Sequence, residues 1–152
     1  MTPGTILCDD EFTFSDGSTG KKLLIVLNDG SDGVYIVVKT TSKSDFKGND
    51  YGCQSSDRYP NFFCPKGSCC LTKDTWIQLD QFFEFKMHEM MVRHFSGYMK
   101  RIGILPDQIL KELLTCAIEC EDITQKQARL LNECRSILIA STNKKTNNSG
   151  GK

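Results

Sequence analysis

The chain divides by the rhythm of its apolar residues. Up to residue 86 they come in short extended groups cut by turns: Thr5 to Cys8, Glu11 to Phe14, Lys22 to Leu27, Val34 to Lys39, Thr75 to Leu79 and Phe82 to Phe85. The unbroken Lys22 to Leu27 run is what a strand buried on both faces shows, whereas Thr75 to Leu79 alternates as a half-buried strand does. Asn28 to Gly33, with its Asp and Gly turn signals, joins two such runs and predicts an antiparallel hairpin. A polar stretch, Thr40 to Ser56, precedes Arg58 to Leu71, which carries Tyr59, Phe62, Phe63 and two prolines.

After residue 86 the period lengthens. Met87, Met90, Met91, His94, Phe95, Tyr98, Met99 and Ile102 recur at three and four residues and predict a helix that runs through Gly97. Pro106 and Asp107 open a second helix bearing Ile109, Leu110, Leu113, Leu114 and Ile118, and Asp122 or Thr124 caps a third through Ala128, Leu131, Cys134 and Leu138. Ser141 to Lys152 is Asn, Ser, Gly and Lys, the composition of a disordered tail. The expected architecture is α+β: a small, strongly bent sheet or barrel over residues 1–86, a helical region packed on it over 87–140, and a tail over 141–152.

Composition narrows the class. In 152 residues, 19 Lys and Arg balance 19 Asp and Glu, and 39% of positions are hydrophobic, which suits one folded domain and excludes a fibrous or wholly disordered chain. Zero net charge argues against coating nucleic acid by bulk electrostatics and leaves room for a local basic site. No apolar run approaches the roughly 20 residues that cross a bilayer, and Met1 to Asp10 lacks a basic stretch followed by an apolar one. The expectation is a cytoplasmic protein with no membrane partner.

Eight cysteines need an account. In such a setting they read as reduced thiols, with Cys8 in the first strand and Cys116, Cys120 and Cys134 as small residues of helical cores. Cys53, Cys64, Cys69 and Cys70 cluster in a loop-like region. Zinc could draw on four thiols, but no Cys-x-x-Cys knuckle is present, so neither a metal nor a cofactor is assigned. The familiar catalytic signatures are also missing: no phosphate-binding loop, dinucleotide fingerprint, nucleophile elbow or His-Glu-x-x-His pair occurs. His88 and His94, the only histidines, lie in the helical stripe, and nothing fixes a cysteine beside either.

A succession of patches is more informative. Pro3-Gly4-Thr5-Ile6-Leu7, Phe14-Ser15-Asp16-Gly17, Gly20-Lys21-Lys22-Leu23-Leu24-Ile25-Val26-Leu27 and Val37-Val38-Lys39-Thr40-Thr41-Ser42 are followed by Thr75-Trp76-Ile77-Gln78-Leu79-Asp80-Gln81 and Ile102-Gly103-Ile104-Leu105-Pro106. In order and approximate spacing, over about residues 3 to 115, this resembles the PemK and MazF family of toxin ribonucleases. The resemblance implies an SH3-like barrel that cleaves single-stranded RNA without a metal, the RNA's own 2'-hydroxyl attacking the phosphate. It implies an antitoxin protein as partner and a homodimer as the assembly.

Carried over residue by residue, the family's strand-borne arginine falls on Lys22 and its threonine on Thr40, the two catalytic candidates. Lys21, Lys39, Thr41 and Ser42 are then the neighbouring RNA contacts. A fixed cation and hydroxyl donors suit an in-line attack, which builds charge on the phosphate oxygens. The departure is Lys22-Leu23 where the family has Arg-Pro, because lysine lacks the two-pronged guanidinium fork. The alternative reading is therefore a catalytically inactive SH3-like barrel that binds protein or RNA, with the Met and Phe stripe or the Ile109 to Ile118 face as its docking surface. Gly17 to Lys73 supports an RNA site: eight Lys or Arg against five acids leave a local excess of three positive charges. Tyr35, Tyr51, Tyr59, Phe62 and Phe63 are interleaved with them, as in single-strand grooves.

Overall fold

A computed structural model describes residues 1–149. Among them are eight strands, β1 (Thr5–Thr13), β2 (Thr19–Val26), β3 (Val34–Thr41), β4 (Gly52–Gln54), β5 (Asn61–Cys64), β6 (Thr75–Gln78), β7 (Phe83–Lys86) and β8 (Met99–Ile104), and three helices, α1 (Met87–Phe95), α2 (Asp107–Ile118) and α3 (Gln125–Ser149). The fold is α+β. Every strand pairing is antiparallel, in the order β4-β5-β6-β3-β2-β1-β8, with β7 also on β3. β4 and β8 end the path without meeting, so the sheet is not closed into a barrel.

The expected β2–β3 hairpin forms, with Leu24, Ile25 and Val26 opposite Lys39, Val38 and Val37. Its turn is held by Asn28, whose amide donates to the Val34 carbonyl at 2.9 Å and accepts the Ile36 N–H at 2.8 Å. Gly30 is required there: its φ is +73°, and a Cβ would stand 2.6 Å from the Tyr35 ring. β3 is long enough to change partner along its length. Val34 to Val37 pair with β7, whereas Thr40 and Thr41 pair with β6.

Alternation along β2 and β3 feeds two cores. Ile25, Leu27, Ile36 and Val38 join Phe62, Ile77 and the inner faces of α2 and α3. Leu24, Val26, Tyr35 and Val37 join Leu7, Phe12, Met90 of α1 and Met99 of β8 on the other side. The continuous apolar runs are thus strands covered on both faces, and each fully buried side chain of this size contributes about 1.5–3 kcal/mol.

Two sequence expectations need correction. The stripe from Met87 to Ile102 is helical only to Phe95: the Ser96, Gly97 and Tyr98 N–H groups close on the carbonyls of Val92, His94 and Arg93, and Gly97 takes a φ of +83°. That glycine ends the helix, and Met99 to Ile104 become β8, hydrogen-bonded to β1. Residues 87–140 therefore supply a strand of the sheet as well as helices. At the other end α3 continues through Ser149, where a disordered tail is expected from Ser141; residues 150–152 lie outside the described part. α3 starts on Thr124, which accepts the Gln127 N–H at 3.1 Å while the Gln127 side chain accepts the Thr124 N–H at 2.9 Å, a reciprocal capping box.

Candidate nucleic-acid interface

Pairing register decides which candidate residues share a face. Leu24 and Lys39 are cross-strand partners, and Lys22, two residues before Leu24, projects to the same side as Leu24 and Val26. The Lys22 ammonium lies 6.0 Å from the centre of the Phe14 ring, which packs on that same core. Burial, reinforced by the charges of Lys39, Lys43 and Lys47, holds the Lys22 pKa below the usual lysine range. The hollow that Lys22 lines also holds Lys21, Lys43 and Lys73, and a basic lining of this kind favours an anionic ligand. Thr41 belongs to this face by alternation. Its hydroxyl oxygen accepts the Lys43 N–H at 3.2 Å, which leaves its own proton for a ligand.

Thr40 faces the opposite way, with Leu23 and Val38. It is 5% exposed, and its hydroxyl donates to the Leu23 carbonyl at 3.0 Å. As placed, that proton ties β3 to β2. Lys22, Thr40 and Thr41 nonetheless line one concavity of about 380 Å³, together with Lys21, Ser42, Lys43 and Lys73. The structure therefore brings Lys21, Lys22, Thr40, Thr41 and Ser42 around one hollow, leaves Lys39 outside its lining on the face that Lys22 shares by alternation, and adds Lys43 and Lys73 to the hollow. No His, Asp or Glu borders the hollow.

Compared with known proteins, the chain matches no family model and no curated protein. The chemistry therefore rests on the residues themselves. The aromatic residues sort sharply. Tyr35, Phe62 and Phe63 are core, whereas Tyr51 and Tyr59 are exposed. Phe46 was missed, being a single ring in a polar stretch, yet it is 67% exposed and adopts a φ of +59°. That left-handed conformation costs a bulky residue about 1–2 kcal/mol. Its only cue in the sequence is its place between Lys43 and Lys47.

The cysteines are not uniformly reduced. Cys53 of β4 is disulfide-bonded to Cys116 of α2, which overturns both the all-thiol reading and the placing of Cys53 with Cys64, Cys69 and Cys70. Sequence could not show the partner, because the two sulfurs meet only once α2 lies across β4. Among the described residues no group of three or more His, Cys, Asp and Glu converges to hold a metal. Burial pushes the Cys64 thiol up to about 12 and Cys120 up to about 11, so neither is a nucleophile near neutrality. Both histidines are exposed on α1, with His94 Nδ1 3.1 Å from the Met99 carbonyl.

The two proposed docking faces fare differently. Ile109, Leu110, Leu113 and Leu114 are buried in the main core, so the α2 face is not a docking surface. α1 buries only Met90 and turns Met91, Val92 and Phe95 outward. Among the described residues no helix is long and apolar enough to cross a membrane.

Proposed function

We propose that the chain binds single-stranded RNA along the face formed by Lys22, Lys39, Lys43 and Lys47, and cleaves it without a metal. The observation that carries the reading is a hollow lined by the half-buried Lys22 with Lys21, Lys43 and Lys73, on which the Thr41 hydroxyl also opens. The phosphate sits against Lys22, with Thr41, rather than Thr40, as the hydroxyl donor. In the reaction the 2'-hydroxyl gives its proton to solvent and its oxygen bonds to phosphorus, while the bond from phosphorus to the 5'-oxygen breaks and that oxygen takes a proton from the Lys22 ammonium, which solvent then restores. Lys22 offsets the charge that gathers on the non-bridging oxygens and, as an ammonium, can protonate the leaving oxygen. The resemblance to PemK and MazF toxins supports the same chemistry, together with an SH3-like reading of the sheet and an antitoxin protein.

The test is RNA cleavage in excess chelator. Wild type is expected to leave cyclic phosphate ends, Lys22→Ala to lose the activity at least 100-fold, and Thr41→Val to lose more than Thr40→Val. Folded protein that cuts no unstructured RNA refutes the enzyme claim. Unchanged RNA affinity in Lys22→Ala refutes the site. One observation favours a second role in association: Phe95 is 78% exposed beside Val92 at 51% on α1. We assign this face to the homodimer contact, so Val92→Asp with Phe95→Asp should halve the mass seen by sedimentation, and a wild type that sediments as a monomer refutes it.

A further inference from the structure

The exposed ring of Phe46 is not explained by packing. It lies outside both cores, is held in a left-handed backbone conformation, and stands on a loop that is pinned from beneath. The pins are specific. The Trp76 indole N–H donates to the Gly48 carbonyl at 2.7 Å, the Gln54 amide donates to the same carbonyl at 3.0 Å, and the Gly48 N–H donates to Asp57 at 2.9 Å. Asp57 also accepts from Asn61 at 3.0 Å, which joins the second loop to the first. Gly48 is closely covered: a Cβ there would stand 2.1 Å from the Gln54 amide oxygen and displace that side chain.

Upon this base two rings and two cations are assembled. Phe46 and Tyr59 have centroids 6.3 Å apart, with planes at 62°. The Arg58 guanidinium lies 4.9 Å from the Phe46 centroid and 5.5 Å from that of Tyr59, and Lys47 lies 5.6 Å from Tyr59. Lys47, which lies over Tyr59, is with Lys43 on the loop that follows β3, so the rings adjoin the lysine-bearing strand. Strain kept at a solvent-facing ring marks a functional constraint rather than a contribution to stability. A second organic cation is disfavoured because Arg58 already occupies the rings. An uncharged planar base joined to an anionic phosphate chain fits both features.

We propose that Phe46, with Tyr59 and Arg58, is a stacking platform for one unpaired nucleobase of the RNA whose phosphates lie on Lys22, Lys39, Lys43 and Lys47. This rests on the RNA reading above and deepens it: the chain takes an unstacked base, which excludes duplex as the preferred ligand. Two probes of equal length separate the terms, a 2'-O-methylated hexauridylate, which lacks the attacking hydroxyl and is not cut, and the matching abasic ribose-phosphate chain. Wild type should bind the first more tightly. Phe46→Asn, which keeps a residue tolerant of the left-handed backbone but removes the ring, should weaken the hexauridylate about 5- to 150-fold, leave the abasic chain unaffected, and leave thermal stability equal or higher. Lys22→Ala should weaken both probes alike. If Phe46→Asn binds hexauridylate as wild type does, or loses both probes equally, the platform is refuted while the RNA site stands. If wild type binds neither probe, the RNA reading fails and the platform fails with it.

Discussion

Removing the bond between Cys53 and Cys116 should destabilise the protein by an amount that the chain itself sets. The two cysteines are 63 positions apart, so the bond closes a large loop in the unfolded chain. Loop-closure entropy for that length is worth about 4 kcal/mol at 25 °C. For a domain of this size that corresponds to a melting temperature lower by roughly 10–15 °C. Cys53 is exposed and Cys116 is buried, so a soluble reductant can reach the bond from the β4 side without prior unfolding. The assay is thermal unfolding with and without reductant, for wild type and Cys53→Ser. Oxidised wild type should fall to the variant's temperature on reduction, and the variant should not respond. Thiol titration of the unfolded, unreduced chain should find six groups, since six cysteines are free. Eight titratable thiols, or a wild type indifferent to reductant, would refute the reasoning.

Four further outcomes follow from the buried ion pair, the thiols and the α3 cap. Asp9 is 1% exposed, its Oδ1 takes the Arg93 guanidinium, and its Oδ2 has no partner, so Arg93→Met should cost about 3–5 kcal/mol in urea unfolding, most of it recovered by adding Asp9→Leu. The raised thiols of Cys64 and Cys120 favour a protonated folded state; stability should hold below pH 9, where the unfolded thiols begin to ionise, and decline from there toward pH 11–12, with Cys64→Ala reducing the loss. Native-state alkylation at pH 8 should accordingly mark exposed Cys70 well before Cys64 or Cys120. Thr124→Ala should lower stability by about 1 kcal/mol, read from the shift in urea midpoint, because the Gln127 N–H loses its acceptor.

What the sequence disclosed was decided by short-range chemistry. The β2–β3 hairpin, the α2 start at Pro106 and the Thr124 cap each depend on residues within a few positions, and each stands where the pattern placed it. The β8 strand was hidden because Met99 and Ile102 continue a helical spacing, although Gly97 carried the stop signal. For the site, the pattern brought Lys22 and Lys39 to notice but not the register that turns Thr40 away from them, since a one-residue difference in alternation selects the face. Phe46 and the Cys53–Cys116 bond were beyond reach for a different reason. One depends on loops pinned by Trp76 and Asp57, the other on a helix laid across a distant strand.

The placing of β8 beside β1 bears on how the chain is made. Residues 5–13 leave the ribosome well before their partner, residues 99–104, which arrives only after seven other elements have emerged. One flank of β1 thus stays unpaired through most of synthesis, and closing it is a long-range step, slow compared with the local β2–β3 turn. Asp9, Asp10 and Glu11 lie on that strand. Adjacent carboxylates on a waiting edge repel the same edge of another nascent copy. When α1 and β8 arrive they bring Arg93 to Asp9 and Lys100 to Asp10. The charges that guard the open edge during translation become the ion pairs that fasten the finished one.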